Sequence, residues 1–141
     1  MSYKRCTHKS RPTLEGTPRD IGPTDIGMSR LALSDADRQV RDWFVKTAKE
    51  SLDCKLQVDT MGNMFAIRPG RRTGPPPVYA GSHFDTQPTG GRYDGILGVH
   101  AGIEAIKTLN DYGIETEYDV GICVWTNEEG ARFNISMMAS G

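Results

Sequence analysis

The chain has 141 residues, 37% of them hydrophobic and 25% charged, with a formal net charge of -1. That is enough chain for one ordinary domain with a modest core. Near-neutrality gives no long-range attraction for nucleic acid, and no run approaches the roughly 20 apolar residues of a membrane helix, so neither nucleic acid nor membrane is an expected partner.

Residues 1–27 are rich in Pro, Gly, Thr and charge without periodicity, and read as a disordered tail and lead-in loop. The basic start, residues 4–11, has neither the apolar core of a signal peptide nor the apolar stripe of a transit peptide. Order is expected from about Met28. Ser34 then stands as a helix cap, and Val40, Trp43, Phe44, Thr47 and Ala48 fall at helical spacing, predicting one amphipathic helix to about Leu52. Residues 56–60 and 64–68 are two short extended segments, and Gly62 and Asn63 between them suit the positive φ angles of a tight turn, which predicts a two-stranded ribbon. Three consecutive prolines make residues 70–77 a surface connection.

From Val78 the pattern changes. Residues 78–85 and 118–126 read as buried strands around a helix over 96–112, whose stripe is Ile96, Val99, Ile103, Ile106 and Leu109 and whose stop is Gly113. Strand, helix, strand predicts an α/β fold with a βαβ unit, its two strands parallel neighbours. Cys6, Cys54 and Cys123 are odd in number, widely spaced and without a CxxC pair, which argues against a disulfide framework and a structural zinc site. A reducing, cytoplasmic setting is expected.

In a parallel sheet ligands gather beyond the carboxyl ends of the strands, and both strands here end in metal-capable side chains. The first ends GSHFD, with His83 and Asp85 two residues apart and so on one side. A metal-bound imidazole commonly has its second nitrogen fixed by a carboxylate, a job open to Asp85; the bland alternative is a surface ion pair. A Gly-rich loop then presents Asp94 just before the helix, either to bridge two ions or to cap the helix. Gly90, Gly91, Gly95 and Gly98 fit neither GxGxxG nor GxxxxGK, so a nucleotide loop is set aside. The second strand opens into Glu128 and Glu129. Adjacent carboxylates point in different directions, so one can bind a metal while the other takes a proton from water, although two loop glutamates are more often solvated charge. Their place opposite His83 and Asp94 favours the chemical reading.

Together, residues 81–99 (GSHFDTQPTGGRYDGILGV) and 127–133 (NEEGARF) closely resemble the carbamoylase branch of the zinc aminoacylase and carboxypeptidase superfamily. That branch includes N-carbamoyl-L-amino-acid hydrolases, allantoate amidohydrolases and the fungal-type β-ureidopropionase, or β-alanine synthase. Residues 27–44 also resemble the start of those proteins, so the likeness covers residues 27–141. It implies the βαβ part of a mixed-sheet, three-layer di-zinc hydrolase domain, with two Zn (or Mn, Co, Ni) ions. His83 would bind one ion, Asp94 bridge both, Glu129 bind the other, Glu128 be the general base and Asp85 orient His83. The GGxYDGxxGV setting of Asp94 favours carbamoylases over peptidases, and Gln87 with Pro88 looks most like the β-ureidopropionase group.

A small-molecule ureido substrate follows from that likeness. Asn134 stands where relatives usually have Pro or Gly, and forms an NxS sequon expected to be idle in a cytosolic protein. The resemblance also implies two further metal-site histidines, a substrate-gripping arginine and a smaller lid and dimerisation domain, none of which falls in these residues. His8 lies in the tail and His100 inside the helix, both expected to be structural or solvated. The expectation is therefore a truncated catalytic domain over 28–141, inactive alone, with a homodimer only for the full-length protein. The alternatives are an aminoacylase or aminopeptidase of the same superfamily and a non-catalytic relic.

Overall fold

The structure, a computed structural model, describes residues 18–72 and 74–137. Expectations for residues 1–17, including His8 and Cys6, lie outside them.

Helix α1 (Asp35–Lys46) begins where the Ser34 hydroxyl accepts the Asp37 N–H at 3.3 Å, satisfying one of the donors a helix start leaves free. Val40 and Phe44 are buried along it. The single α-helix expected to residue 52 instead ends in a wider π-turn (Thr47–Ser51). That turn brings the Cys54 N–H onto the Ala48 carbonyl at 2.9 Å and closes the helix against the strand that follows.

Strands β1 (Lys55–Val58) and β2 (Met64–Arg68) form the expected antiparallel hairpin. Of the two turn residues expected at positive φ, only Gly62 (φ +84°) is there. Asn63 is buried instead, because its amide donates to Asp59 Oδ2 at 2.8 Å and its Oδ1 accepts the Thr126 N–H at 2.9 Å. The hairpin is also no free ribbon. With β3 (Val78–His83) and β4 (Val120–Trp125) it forms one mixed sheet in the order β1-β2-β4-β3, with β4 antiparallel to β2 and parallel to β3.

As the outer strand among the described residues, β3 departs from the buried strand expected. Val78, Tyr79 and Ala80 are exposed and burial is complete only at His83, because one edge has no neighbouring strand. Helix α2 (Ile96–Asp111) joins β3 to β4 and stops before Gly113 (φ +60°). Gly98 and Gly102, one turn apart, let it lie close on the sheet: a Cβ at Gly98 would come 2.8 Å from Ser82 Cβ, and one at Gly102 3.1 Å from Ile122 Cγ1.

The core unites both helices on one face of the sheet. Val40 and Phe44 from α1 and Val99, Ile103 and Ile106 from α2 pack on Met64, Ala66, Ile122 and Val124. Phe44 and Phe84 meet edge to face at 5.8 Å, and each is fully buried, contributing about 1.5–3 kcal/mol by removal from water. On the opposite face Phe65 lies between Tyr79 at 5.4 Å and Trp125 at 6.0 Å. The described residues thus hold the sheet and one helical layer of the three-layer arrangement.

In the lead-in, residues 18–27 form a short 3-10 turn (Pro18–Asp20) and a bend in which the Ser29 N–H reaches the Gly22 carbonyl at 2.8 Å. Arg30, 1% exposed, holds this segment down. Its Nε donates to Phe84 O at 2.7 Å, and its Nη1 to Pro18 O at 2.9 Å and Ile21 O at 2.8 Å. Burial pulls its pKa below the usual arginine value. Main-chain groups satisfied by one distant arginine leave no periodicity to read. As expected, the proline-rich connection runs along the surface, with the Arg71 and Arg72 N–H groups bonded to Thr116 O and Glu117 O.

Candidate metal centre

The tips of β3 and β4 are in register, His83 opposite Trp125, so whatever follows each strand emerges side by side. Alternation does the sorting at the β3 tip. Phe84 turns into the core, while His83 and Asp85 on either side of it face the opening; both are buried. His83 Nδ1 lies 2.9 Å from the main-chain carbonyl of Asp85. A carbonyl only accepts, so Nδ1 is the donor there, and Nε2 is the ring nitrogen left to meet groups from the second strand.

Asp85 therefore meets the imidazole through its carbonyl, while its carboxylate stays 3.8 Å from Nδ1. That carboxylate is engaged elsewhere: Oδ1 accepts the Glu128 N–H at 3.3 Å and Oδ2 the Glu129 N–H at 3.1 Å. One side chain ties the two strand tips together.

Beyond β4 the chain must turn sharply. Asn127 takes a left-handed conformation (φ +56°), and its amide donates to Phe133 O at 3.2 Å and Ile135 O at 3.0 Å, holding the loop that follows. Arg41 braces the same turn from α1, bonding Thr126 Oγ1 at 3.0 Å, Gly62 O at 2.9 Å and the buried Asp37 at 2.7 Å. Glu128 is brought with its Oε2 3.3 Å from His83 Nε2. Glu128 thus stands beside the imidazole, outside the group that His83 forms with Asp94 and Glu129.

Asp94 arrives from the loop before α2. It does not cap that helix with its side chain, since the capping position is Gly95 and no side-chain bond closes the first turn. Gly95 sits at φ +68°, and a Cβ there would come 2.5 Å from His83 Cε1, so the loop can close over the imidazole only with glycine at this position. Asp94 is thereby left exposed beside His83, with ligand atoms of His83, Asp94 and Glu129 all within 4.8 Å of one another.

These residues fit a divalent ion. Nitrogen and carboxylate oxygen donors suit zinc, which takes such ligands at about 2.0–2.2 Å, and Asp94, the exposed member of the three, is free of packing that would fix its side chain. Glu129 supplies an independent sign. Its Oε2 accepts the Gln87 amide at 2.9 Å, but Oε1 is buried with no hydrogen-bond partner, a costly state that a cation would end. His100 is elsewhere, with its ring 5.5 Å from that of Trp43 and its pKa pushed down by burial, partly opposed by Glu104.

The five residues singled out in the sequence lie together: Asp85 holds the Glu128 and Glu129 amides, Glu128 stands against His83, and His83 groups with Asp94 and Glu129. The supporting residues Arg30, Arg41 and Asn127 gave no sequence signal of that role, and Gln87 was marked only by resemblance.

No protein-family model matches the chain. It is 50% identical over 122 residues to an N-carbamoyl-L-amino-acid amidohydrolase of Rhizobium meliloti, covering 86% of this chain and 29% of the relative. It is 37% identical over 125 residues to an allantoate amidohydrolase of Bacillus subtilis, covering 83% of this chain and 28% of the relative. Among solved structures, a hydantoinase/carbamoylase family amidase of Burkholderia multivorans superposes with a TM-score of 0.85 at 54% identity, over 88% of this chain and 30% of the other. The chain thus spans a little under a third of the length of the proteins it matches.

Proposed function

This chain is homologous over most of its length to the carbamoylase branch of the amidohydrolases, and from that premise we propose that the protein it represents hydrolyses the ureido C–N bond of N-carbamoyl amino acids. Within that class the substrate proposed is a β-ureidopropionate-like compound, on the strength of Gln87 and Pro88 after the HFDT segment. The single observation that carries the reading is the meeting of His83, Asp94 and Glu129, with Glu128 touching the imidazole from the side.

A pair of divalent ions, when bound, would supply Lewis acidity to a water and to the scissile carbonyl. His83, Asp94 and Glu129 are the residues of this chain that would hold them. Glu128 is the general base. It emerges beside the ligand set but is not a member of it, takes the proton of the attacking water and returns it to the departing nitrogen. Asp85 holds the Glu128–Glu129 main chain in place. The products are an amino acid, carbon dioxide and ammonia.

The test is turnover of N-carbamoyl-β-alanine, N-carbamoyl-L-amino acids and a dipeptide by the protein carrying this segment, with zinc or manganese supplied. Release of ammonia from the carbamoyl compounds with no dipeptide cleavage supports the reading. Preferential peptide cleavage replaces it with an aminopeptidase, and a protein that neither turns over nor binds metal is a non-catalytic product. A cytoplasmic setting and a homodimer of the full-length protein belong to the same proposal.

A further inference from the structure

Gln87 spends its amide in an unusual way for an exposed side chain. Rather than facing water alone, its Nε2 donates to the Glu129 carboxylate Oε2 at 2.9 Å and lies 3.3 Å from the Glu129 main-chain carbonyl, 42 residues away in the chain. The backbone that presents it is fixed. Thr86 is buried, its N–H donates to Arg30 O at 2.8 Å, its hydroxyl accepts the Arg30 N–H at 2.8 Å and donates to Gln87 O at 2.9 Å, and the Gly90 N–H closes on Gln87 O at 3.1 Å. A glutamine on so constrained a loop loses little freedom in making its bond.

The consequence falls on Glu129. Asp85 accepts its N–H, Gln87 occupies Oε2, and the remaining oxygen, Oε1, is buried without a partner in a group whose ligand atoms include those of His83 and Asp94. We propose that Gln87 is a positioning residue for Glu129: it holds one carboxylate oxygen so that the other is presented to the cation as a single-oxygen ligand. The inference rests on the metal-centre reading above. Outer contacts of this kind typically change metal affinity by about 10–100-fold, and a bond to an exposed amide belongs at the low end.

A double-mutant cycle on the full-length protein carrying this segment tests this, with zinc ion alone as the probe and competition against a chromophoric chelator as the readout. Circular dichroism checks that each variant is folded. Gln87→Met keeps size and removes the donor, and is expected to weaken zinc binding about tenfold. Glu129→Ala is expected to weaken it more, and Gln87→Met added to Glu129→Ala to cost nothing further, because the group it positions is gone. Zinc affinity of Gln87→Met within about twofold of the parent chain, or a full tenfold loss in the Glu129→Ala background, overturns the proposal while leaving the metal centre standing. No zinc uptake by the parent, or no effect of Glu129→Ala, overturns the metal centre itself and this inference with it.

Discussion

Gly95 lies so close over His83 that a methyl group on its α-carbon would come 2.5 Å from the imidazole Cε1. The loop that delivers Asp94 is thus closed down on the histidine, and one residue sets both the helix start and the shape of the site.

Gly95→Ala is therefore expected to fail twice. A side chain at φ +68°, ψ -54° costs on the order of 1–3 kcal/mol, and overlap with the ring adds roughly 1–3 kcal/mol. Thermal unfolding of the variant should show a loss of several degrees or more, with reduced zinc uptake. An unchanged melting temperature would mean that loop and ring are not in contact.

Asp85→Asn separates two accounts of that carboxylate. If it serves the Glu128–Glu129 amides, as the distances indicate, the His83 tautomer should stay protonated on Nδ1, because the carbonyl that holds it is untouched. Nitrogen–proton correlation spectra of the imidazole report this directly. Activity in the protein carrying the segment should still drop about 10–100-fold, and a tautomer change would return the carboxylate to the role of imidazole partner.

Glu128→Gln should leave metal binding nearly intact and lower kcat by about 10²- to 10⁴-fold, the usual worth of a positioned acid-base group. Intact turnover would remove Glu128 from the mechanism.

Cys54 provides a pH test remote from the site. Burial, opposed by Arg68 and assisted by Asp53, raises its thiol from 9.0 to about 11. A folded-state pKa above the unfolded one favours the neutral thiol, so this contribution is whole below pH 9 and is lost as pH rises towards about 11. The loss is at most roughly 3 kcal/mol. Denaturant unfolding between pH 8.5 and 11 should fall less steeply for Cys54→Ala than for the parent; parallel curves would show that the thiol is not protected.

Arg30→Met should release the lead-in. Three main-chain carbonyls, on Pro18, Ile21 and Phe84, lose their donor, at about 1–3 kcal/mol for each that stays buried. Limited proteolysis ahead of Ser34 should speed up markedly, and unchanged cleavage would contradict the anchoring.

The elements of the chain were legible wherever a periodic apolar pattern met a local stop signal. Ser34 marked the start of α1, Gly113 the end of α2, and the apolar runs marked β3 and β4 as parallel partners. The residue types of the site were legible for a similar reason: an imidazole and three carboxylates at strand tips are scarce, and the carboxyl end of a parallel sheet is where ligands gather.

What stayed hidden depends on contacts between distant positions. Nothing local distinguishes Arg30 from a surface arginine, or shows that Asn63 is buried by a bond to Thr126. Burial on β3 depends on whether it has neighbours on both edges, which its own residues do not encode. The pairing of Asp85 with two amides, of Gln87 with Glu129 and of Gly95 with His83 likewise comes from chain folding. Sequence determines which groups are available and which local shape each segment prefers, because those follow from side-chain chemistry and near-neighbour sterics. Only the tertiary structure decides which Glu129 oxygen is satisfied and which is left without a hydrogen-bond partner, because that is settled by atoms more than forty residues apart.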